Sequence, residues 1–405
     1  MPHYGVVLFN DVILKKGKER KRLPSEGWAS FDGGPARRIN SITEVESDVK
    51  WLTNLDFVDF YSNQLGKNHN LYYSAFLRTD LKSVADDIGA GVGQLSADKA
   101  VVSLSTVFKR IMDLAVDRLQ VNLDVPNVNT LHDFLAARTV NKYKLPDEIN
   151  TALKHAYQPT TQCVTRWNRD WKHAMLRKPR YQHAVEVLST PVPSEFRWVY
   201  VNHDRLPTSN AKRIDWCVAH ELPVLANVKV TPRKGGELNG IISYNSGAMV
   251  ERAWLCQPEL LWISLFCDVE VIGAFVCEAG FEHQKEIDTF PSLGDFSHAS
   301  YTLGLLCENL WVSLASPRTT LVGQKFYPPR AVWYRAVDRI EVFKSAAKLH
   351  RAGFQVIGYG YGSIWLNYPS GATKDLIDIA AEIGLDVPVS KFFEQRNEIR
   401  LIRDE

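Results

Sequence analysis

The chain has 405 residues, which exceeds a single average domain and favours two domains or one domain with a large accessory region. Hydrophobic residues make up 45% and charged residues 23%, a usage that excludes a disordered or fibrous protein. The formal net charge of +2 provides no global field for nucleic acid or acidic lipid, so any such site must be local.

Targeting and membrane signals are absent from the sequence pattern. The N-terminus lacks a cationic segment followed by an apolar run and a small-residue cleavage site, so we expect no secretion signal. No stretch reaches about 18 apolar residues without a charge, the length that a membrane-spanning helix needs. The six cysteines form no Cys-x-x-Cys pair, which predicts reduced, packed thiols. We therefore expect a cytoplasmic or nuclear protein that is not secreted and has no membrane partner.

The first predicted helix begins near Ser41. Ser41 followed three positions later by Glu44 is the pattern of a capping box, in which each side chain satisfies a backbone amide of the first helical turn. The helix would carry on one face Val45, Val49, Leu52 and Leu55.

Further helices are predicted in the same part of the chain. From Ala97 to Gln120 apolar residues recur every three or four positions, the strongest amphipathic pattern in the sequence. Shorter helices are predicted over 124–135 and 145–157, separated by turns that contain proline. Residues 1–195 are therefore expected to form a mainly helical accessory region.

The pattern changes near residue 195, where we place the domain boundary. Short β-branched or aromatic runs then alternate with helical segments, which indicates a mixed sheet flanked by helices. The predicted strands are Phe196–Val201, Leu222–Val230, Gly240–Tyr244, Val269–Cys277, Thr319–Val322 and Phe354–Gly358. Residues 196–405 are thus assigned to the α/β class.

A cluster of cations and aromatic residues occupies residues 166–181. Guanidinium groups bind phosphate oxygens, and aromatic rings stack on bases, so this composition suits contact with a nucleic-acid strand. The candidate contacts are Arg166, Arg169, Trp171, Lys172 and Arg177. The alternative, which the four-residue spacing of the tryptophans favours, is a surface helix whose tryptophans pack inward.

Metal and hydrolase patterns are not complete anywhere in the sequence. His203-Asp204, His220-Glu221 and His283 lack the spacing that would direct two ligands and a third at one centre. Ser246 and Ser363 lack the Gly-x-Ser-x-Gly turn of a hydrolase nucleophile. No metal and no cofactor is predicted.

One stretch has an order of residues that points to chemistry. A short strand over 241–245 ends in Asn245, and Ser246-Gly247-Ala248 follows. Met249-Val250-Glu251 then leads into a helix-like segment over 252–256 and the turn Gln257-Pro-Glu-Leu260. This order resembles the catalytic domain of the poly(ADP-ribose) glycohydrolases, whose fold is macrodomain-like, and the resemblance covers roughly residues 215–395.

The resemblance implies a role for individual residues. Glu251 corresponds to the glutamate that acts as general acid and then as base at the ribose–ribose linkage, and Asn245 would orient it or hold a ribose hydroxyl. Gly247 and Ala248 would offer backbone amides to the diphosphate, and Phe281 would stack on the ligand. A carboxyl in this role needs its pKa raised by burial.

The sequence departs from the family at several points. Met249 and Val250 replace the first two residues of a Gln-Glu-Glu triplet, and Gly362-Ser363 replaces a Gly-Asp pair. The resemblance implies a protein that binds or hydrolyses an ADP-ribose-type ligand, with an activity that is weakened or lost; an active enzyme would be a glycosidic-bond hydrolase. The other hypothesis is an oligomeric structural or assembly protein, such as a viral coat or nucleic-acid packaging subunit.

Overall fold

The computed structural model describes residues 3–9, 26–54, 71–72, 95–119, 145–163, 168, 170–242, 254–283, 307–308, 310–319 and 325–386. The chain divides into two compact units. Unit 1 comprises residues 1–139, 289–309 and 389–405, and unit 2 comprises residues 140–288 and 310–388. Both strands and helices occur, so the α/β class is confirmed.

Unit 1 contains a five-stranded sheet within its described residues. Its strands are β1 (His3–Phe9), β2 (Gly27–Phe31), β3 (Arg37–Ile39), β4 (Val49–Thr53) and β5 (Leu71–Tyr72), in the spatial order β3-β2-β1-β4-β5. The β1–β2 and β2–β3 pairs are antiparallel, whereas β4 runs parallel to both β1 and β5. Its core cluster consists of Val7, Phe9, Ala29, Ile39, Val49 and Trp51.

Helix α1 (Ala97–Leu119) packs on this sheet. The ring of Phe108 meets that of Tyr4 edge-to-face with 5.4 Å between centroids. The hydroxyl of Ser105 lies 2.9 Å from that of Ser30 in a buried hydrogen bond. The helix predicted over 97–120 is confirmed.

Unit 2 contains two four-stranded antiparallel sheets and two short ribbons within its described residues. One sheet, in spatial order β6-β16-β17-β7, comprises β6 (Thr161–Gln162), β7 (Lys172–Arg177), β16 (Gln355–Gly360) and β17 (Ser363–Tyr368). The other, in order β11-β10-β12-β9, comprises β9 (Trp198–Val201), β10 (Val224–Pro232), β11 (Trp254–Cys256) and β12 (Cys267–Cys277). The ribbons are β8 (Val192–Pro193) with β13 (Phe281–Glu282), and β14 (Arg318–Thr319) with β15 (Lys325–Phe326).

The helices of unit 2 pack around these sheets. They are α2 (Asp147–Ala156), α3 (Arg180–Leu188), α4 (Asn210–Ala219), α5 (Gln257–Ser264), α6 (Pro329–Arg351) and α7 (Thr373–Glu382), and residues 310–314 are also helical. Helix α6 is buried along most of its length and contacts both β16 and α5. Helix α6 precedes the β16–β17 hairpin in the chain, and its residues Arg335 and Asp338 contact the hairpin turn.

The mainly helical N-terminal region is not confirmed, because the described part of residues 1–72 forms the five strands of unit 1. The capping-box residues do make local hydrogen bonds: the Ser41 hydroxyl accepts from Thr43 N, and the Glu44 carboxylate accepts from Asn40 N. They cap only the single 3₁₀ turn Ile42–Glu44, and the chain continues into β4.

Two further local predictions are wrong within the described residues. Residues Asn239–Ile241 form a 3₁₀ turn where a strand was expected from residue 240. Residues Trp254–Cys256 form strand β11, where a helix was expected, and the helix begins only at Gln257. Pro258 is favourable in that first turn because its missing N–H needs no partner there.

Other predictions agree with the described structure. Helix α2 matches the prediction over 145–157, and strands β9, β10, β12 and β16 lie where strands were predicted. All six cysteines are free and buried. Among the described residues, no helix is both long enough and apolar enough to cross a membrane.

Candidate functional site

The turn between β16 and β17 has an unusual backbone. Its three residues Gly360, Tyr361 and Gly362 have φ angles of 141°, 54° and 66°, so a non-glycine residue is held in the left-handed region between two glycines. A Cβ atom on Gly360 would lie 2.8 Å from the Pro159 carbonyl, and one on Gly362 would lie 2.9 Å from the His183 ring. Positive φ angles at both Tyr361 and Gly362 are what a two-residue hairpin turn of type I′ requires, but the first of these positions is usually Asn, Asp or Gly, so a tyrosine there depends on the surrounding structure to maintain it.

A buried carboxylate on α6 holds this turn. Asp338 is fully buried, and its Oδ2 accepts a hydrogen bond from Tyr361 N at 2.7 Å. Its Oδ1 accepts from Gly362 N at 2.8 Å and lies 2.7 Å from His183 Nε2. We call Asp338, His183, Tyr361 and Gly362 the Asp338 network. Because two amides and an imidazole converge on one carboxylate, the turn is fixed relative to α3 and α6.

The network favours the charged forms of both buried side chains. Burial opposes the charge on Asp338 and would raise its pKa. The pKa is nevertheless held below the usual value, because His183 contributes a hydrogen bond and a positive charge, Arg335 a further charge and Gly362 a backbone hydrogen bond. Burial likewise opposes the imidazolium of His183, but the hydrogen bond to Asp338 and the Glu186 carboxylate, 3.7 Å from Nδ1, raise its pKa. The nearby His183 imidazolium and the Lys178 ammonium overcome partial burial and lower the pKa of Glu186 to about 2.

The raised pKa of His183 makes the stability of unit 2 depend on pH. The imidazolium contributes its full stabilisation below the ordinary histidine pKa of about 6.5, and this contribution is lost as the pH rises through the raised folded-state pKa. His183→Gln should therefore cost more stability at about pH 6 than at about pH 9, as measured by urea unfolding. His203→Gln, at a half-exposed site, is the control and should cost the same at both pH values. Equal losses for His183→Gln at both pH values would show that the imidazole is neutral in the folded protein.

A stacked arginine lies directly under the turn. The guanidinium carbon of Arg335 is 3.9 Å from the centroid of the Tyr361 ring and 4.9 Å from that of Trp311. Cation–π contacts of this kind gain strength when the cation is shielded from water, and Arg335 is fully buried. Its Nε donates to the Ala315 carbonyl at 3.1 Å. The turn is thus held by a carboxylate at its amides and by a cation at its ring.

Cationic side chains lie next to the turn on β7 and the residues that follow it. Arg177 pairs with Ser363 across the β7–β17 ladder, and the Lys178 amide donates to the Gly362 carbonyl at 2.8 Å. Residues 170–181 contain one carboxylate and four Lys or Arg residues. We call Trp171, Lys172, Arg177, Lys178 and Arg180 the β7 surface. All five side chains are half-buried; Arg177, Lys178 and Arg180 lie at the turn end of β7, whereas Trp171 and Lys172 lie at the other end, where Lys172 pairs with Tyr368.

Carboxylates balance part of this charge. Lys178 Nζ lies 2.8 Å from the Glu186 carboxylate and 3.8 Å from that of Glu341. The end of β7 is closed by Asp386, whose amide and carbonyl both bond to the backbone of Arg177. The positive charge is therefore positioned by folded structure rather than carried on a free loop.

A second buried ion pair lies one turn further along α6. Arg339 Nη2 is 2.5 Å from Glu259 Oε1 on α5, and Arg339 Nη1 donates to the Gln158 carbonyl. Glu259 is fully buried and Arg339 is 1% exposed. This pair joins α5 and α6 behind the site and so fixes the helix that carries Arg335 and Asp338.

The structure covers only part of the predicted site. Four of the residues assigned to the ADP-ribose site, Asn245, Gly247, Ala248 and Glu251, lie outside the described residues. Phe281 is half-buried in the β8–β13 ribbon, where it pairs with Pro193.

The predicted nucleic-acid contacts are likewise covered in part. Arg166 and Arg169 lie outside the described residues, whereas Lys172 and Arg177 bound strand β7 and Trp171 precedes it. The alternative of a continuous surface helix is wrong for residues 172–177, because they pair with β17 as a strand.

Sequence reasoning missed the residues that hold the turn. Arg335 and Asp338 are three positions apart on a helix, so they share one face. Nothing in the local sequence indicates that the Asp338 carboxylate accepts hydrogen bonds from the β16–β17 turn. The available signal was the run Gly358-Tyr-Gly-Tyr-Gly362, whose alternating glycines are unusual within a strand. Within the described residues, no group of three or more His, Cys, Asp or Glu side chains is placed to hold a metal ion.

Comparisons with known proteins give a likeness of fold. No protein-family model and no curated protein matches the sequence. The solved structure of Phi29 DNA polymerase in an orthorhombic crystal form is similar with a TM-score of 0.50 and 13% identity, over 90% of this chain and 80% of that chain. Phi29 DNA polymerase complexed with primer-template DNA in a post-translocation binary complex gives a TM-score of 0.49 and 12% identity, over 92% of this chain and 82% of that chain.

The likeness corrects the family suggested by the sequence. The fold is similar to that of a DNA polymerase over most of the chain, so the resemblance to the poly(ADP-ribose) glycohydrolases, with its macrodomain-like arrangement, is wrong. ADP-ribose binding or hydrolysis and the coat or packaging hypothesis are not supported either. Motif order misled because Ile241 and Trp254–Cys256 occupy elements of a different type from those that the family requires.

Proposed function

We propose that unit 2 binds DNA through the β7 surface and the adjacent β16–β17 turn. The observation that carries the proposal is the meeting of Arg177, Lys178 and Tyr361 at the turn of one hairpin, with Trp171 and Lys172 at the other end of β7. Arg177 and Lys178 flank the turn through backbone pairing, and Arg335 stacks under Tyr361. The similarity of the fold to Phi29 DNA polymerase supports this choice of partner over other polyanions.

The chemistry of the surface suits a nucleic-acid backbone. Phosphate contacts come mainly from Lys and Arg, and they supply most of the affinity that does not depend on sequence. Trp171 and Tyr361 are half-buried, so each ring has an accessible part on which an unpaired base can stack. The surface therefore fits a single strand or a single-stranded end better than a continuous duplex groove.

Charge neutralisation tests the proposal. The double variant Lys172→Gln/Arg177→Gln should weaken binding of a fluorescent single-stranded oligonucleotide and reduce the salt dependence of its affinity. Each lost phosphate contact should lower the slope of log K against log salt by about 0.7. Fluorescence anisotropy titrations at several salt concentrations measure both quantities.

A matched substitution elsewhere on unit 2 serves as the control. Lys212→Gln, at an exposed position on α4, should leave the affinity and the salt slope at their wild-type values. The proposal fails if wild type shows no salt-dependent binding, or if Lys212→Gln weakens binding as much as the double variant does.

A further inference from the structure

Arg335 has more hydrogen-bonding capacity than its surroundings use. The side chain is fully buried, and its Nε donates to the Ala315 carbonyl. Its Nη1 and Nη2 atoms are buried and have no hydrogen-bond partner within the described part of the chain. A guanidinium carries five N–H donors, and the hydrogen bonds among the described residues account only for the one on Nε. Buried donors of this strength are normally paired, which makes the site stand out.

The neighbouring carboxylate is already used. Arg335 is near enough to Asp338 to lower its pKa, but the Asp338 oxygens accept from Tyr361 N and Gly362 N and face His183. The charge of Asp338 is thus balanced by the imidazolium, and the Nη atoms of Arg335 remain available for another anion.

The surroundings of the guanidinium set the direction from which an anion can approach. The centroids of the Tyr361 and Trp311 rings lie 3.9 and 4.9 Å from the guanidinium carbon and 6.5 Å from each other, so the rings cover adjacent sides of the group and a ligand must approach from a side that neither ring covers. Tyr157 lies beside Arg335 and donates to the same Ala315 carbonyl at 3.2 Å. Burial raises the pKa of Tyr157 and the Arg335 charge opposes that rise, which places the two groups close together. Tyr157 and Tyr361 both lie beside the guanidinium and are half-buried, so each also reaches the surface.

We propose that Arg335 binds a terminal phosphate, through a bidentate pair between its Nη atoms and two phosphate oxygens. Arg–phosphate pairs with this geometry are among the strongest hydrogen-bonded contacts in proteins. A terminal phosphomonoester can enter end-on between Tyr157 and Tyr361. An internal phosphodiester cannot, because the nucleic-acid chain continues on both sides of it. The group is supplied by the 5′ end of a DNA strand or by a free nucleotide. The first source rests on the proposed DNA binding, and the second does not.

The test compares two single-stranded oligonucleotides of one sequence, with a 5′-phosphate or a 5′-hydroxyl, by anisotropy with the full chain. The phosphorylated strand should bind about tenfold more tightly, the factor that one charge-assisted contact of this kind supplies. Arg335→Lys keeps the charge but loses the planar fork, so it should abolish this preference. Arg351→Lys, at a mostly exposed arginine on the same helix, should retain it.

A second variant covers the case in which Arg335→Lys does not fold. Tyr361→Gly keeps the guanidinium, suits the left-handed backbone and removes the ring above it. The preference for the 5′-phosphate should persist in this variant, and association should be faster. Loss of the preference in Tyr361→Gly, when wild type shows it, would mean that the phosphate contacts the tyrosine and would overturn the assignment to Arg335.

Free adenosine 5′-monophosphate, measured by calorimetry, distinguishes the two sources. If adenosine 5′-monophosphate binds to wild type, and Arg335→Lys or Tyr361→Gly changes its affinity, the site is supported and its ligand is a free nucleotide. Equal affinity for both oligonucleotides together with no heat from the mononucleotide overturns the inference. In that case, salt-dependent binding of the 5′-hydroxyl strand would leave the proposed DNA binding intact.

Discussion

Asp338→Ala should lower the free energy of unfolding of unit 2 by about 3–5 kcal/mol, the range found when one partner of a buried charge pair is removed. The substitution leaves Tyr361 N and Gly362 N without their acceptor and removes the partner of the His183 imidazolium. The strained backbone of Tyr361 would then lose the acceptor of its amide and keep the Arg335 stack on its ring. Urea unfolding followed by tryptophan fluorescence measures the loss.

An exposed aspartate provides the control for this prediction. Asp204 has a side chain that is 89% exposed, and its carboxylate lies 3.8 Å from the His203 imidazole. Asp204→Ala should change the free energy of unfolding by no more than about 0.5 kcal/mol, as surface substitutions usually do. If Asp338→Ala were as mild as Asp204→Ala, the carboxylate would not be what holds the turn.

Arg339→Met should destabilise unit 2 by a similar amount, about 3–5 kcal/mol, because Glu259 would remain buried without its counter-charge. Removing both charges in Arg339→Met/Glu259→Gln should recover part of the loss, since a buried pair contributes much less than the cost of breaking it. Urea unfolding of the two single variants and the double variant completes the cycle.

An exposed ion pair that involves the last residue of the same helix is the control for this cycle. Arg351 and Glu237 form an ion pair with side chains 52% and 64% exposed. Arg351→Met should cost about 1 kcal/mol or less, as exposed pairs do. A double variant at 339 and 259 that is no more stable than Arg339→Met alone would show that Arg339 acts through its bond to the Gln158 carbonyl instead.

Elements with a long, regular pattern were predictable from sequence. The apolar period of α1 extends over more than six turns, and only packing of one face on a sheet explains such a run. Strands β10 and β12 are rich in β-branched residues, Pro223 precedes β10 and Gly280 follows shortly after β12, so their type followed from local propensity.

The N-terminal sheet was missed because local and tertiary signals disagree there. Ser41 and Glu44 do form capping hydrogen bonds, but they stabilise a single turn. Val49 and Leu52 are three apart, which suits a helix, yet Val49 and Trp51 are two apart and both join the core cluster. Pairing of β4 with β1 decides between helix and strand, and that pairing depends on residues 46 positions away.

The candidate site was less predictable than the fold. The β7 surface was recognised as a possible nucleic-acid contact from its composition, although its strand conformation depends on pairing with β17 far along the chain. The Asp338 network joins α3, α6 and the β16–β17 turn, and no local pattern encodes that convergence. Short motif order around residue 251 was a weaker guide, because a few polar and glycine residues in sequence recur in unrelated folds.

Photochemical cross-linking tests DNA binding at this surface most directly. A single-stranded oligonucleotide carrying a photoreactive base is irradiated with the full chain, and the attached peptides are identified by mass spectrometry. The account predicts attachment within residues 170–181 and at Tyr361, reduced by Lys172→Gln/Arg177→Gln. Attachment confined to peptides outside these segments, unchanged in the double variant, would contradict it.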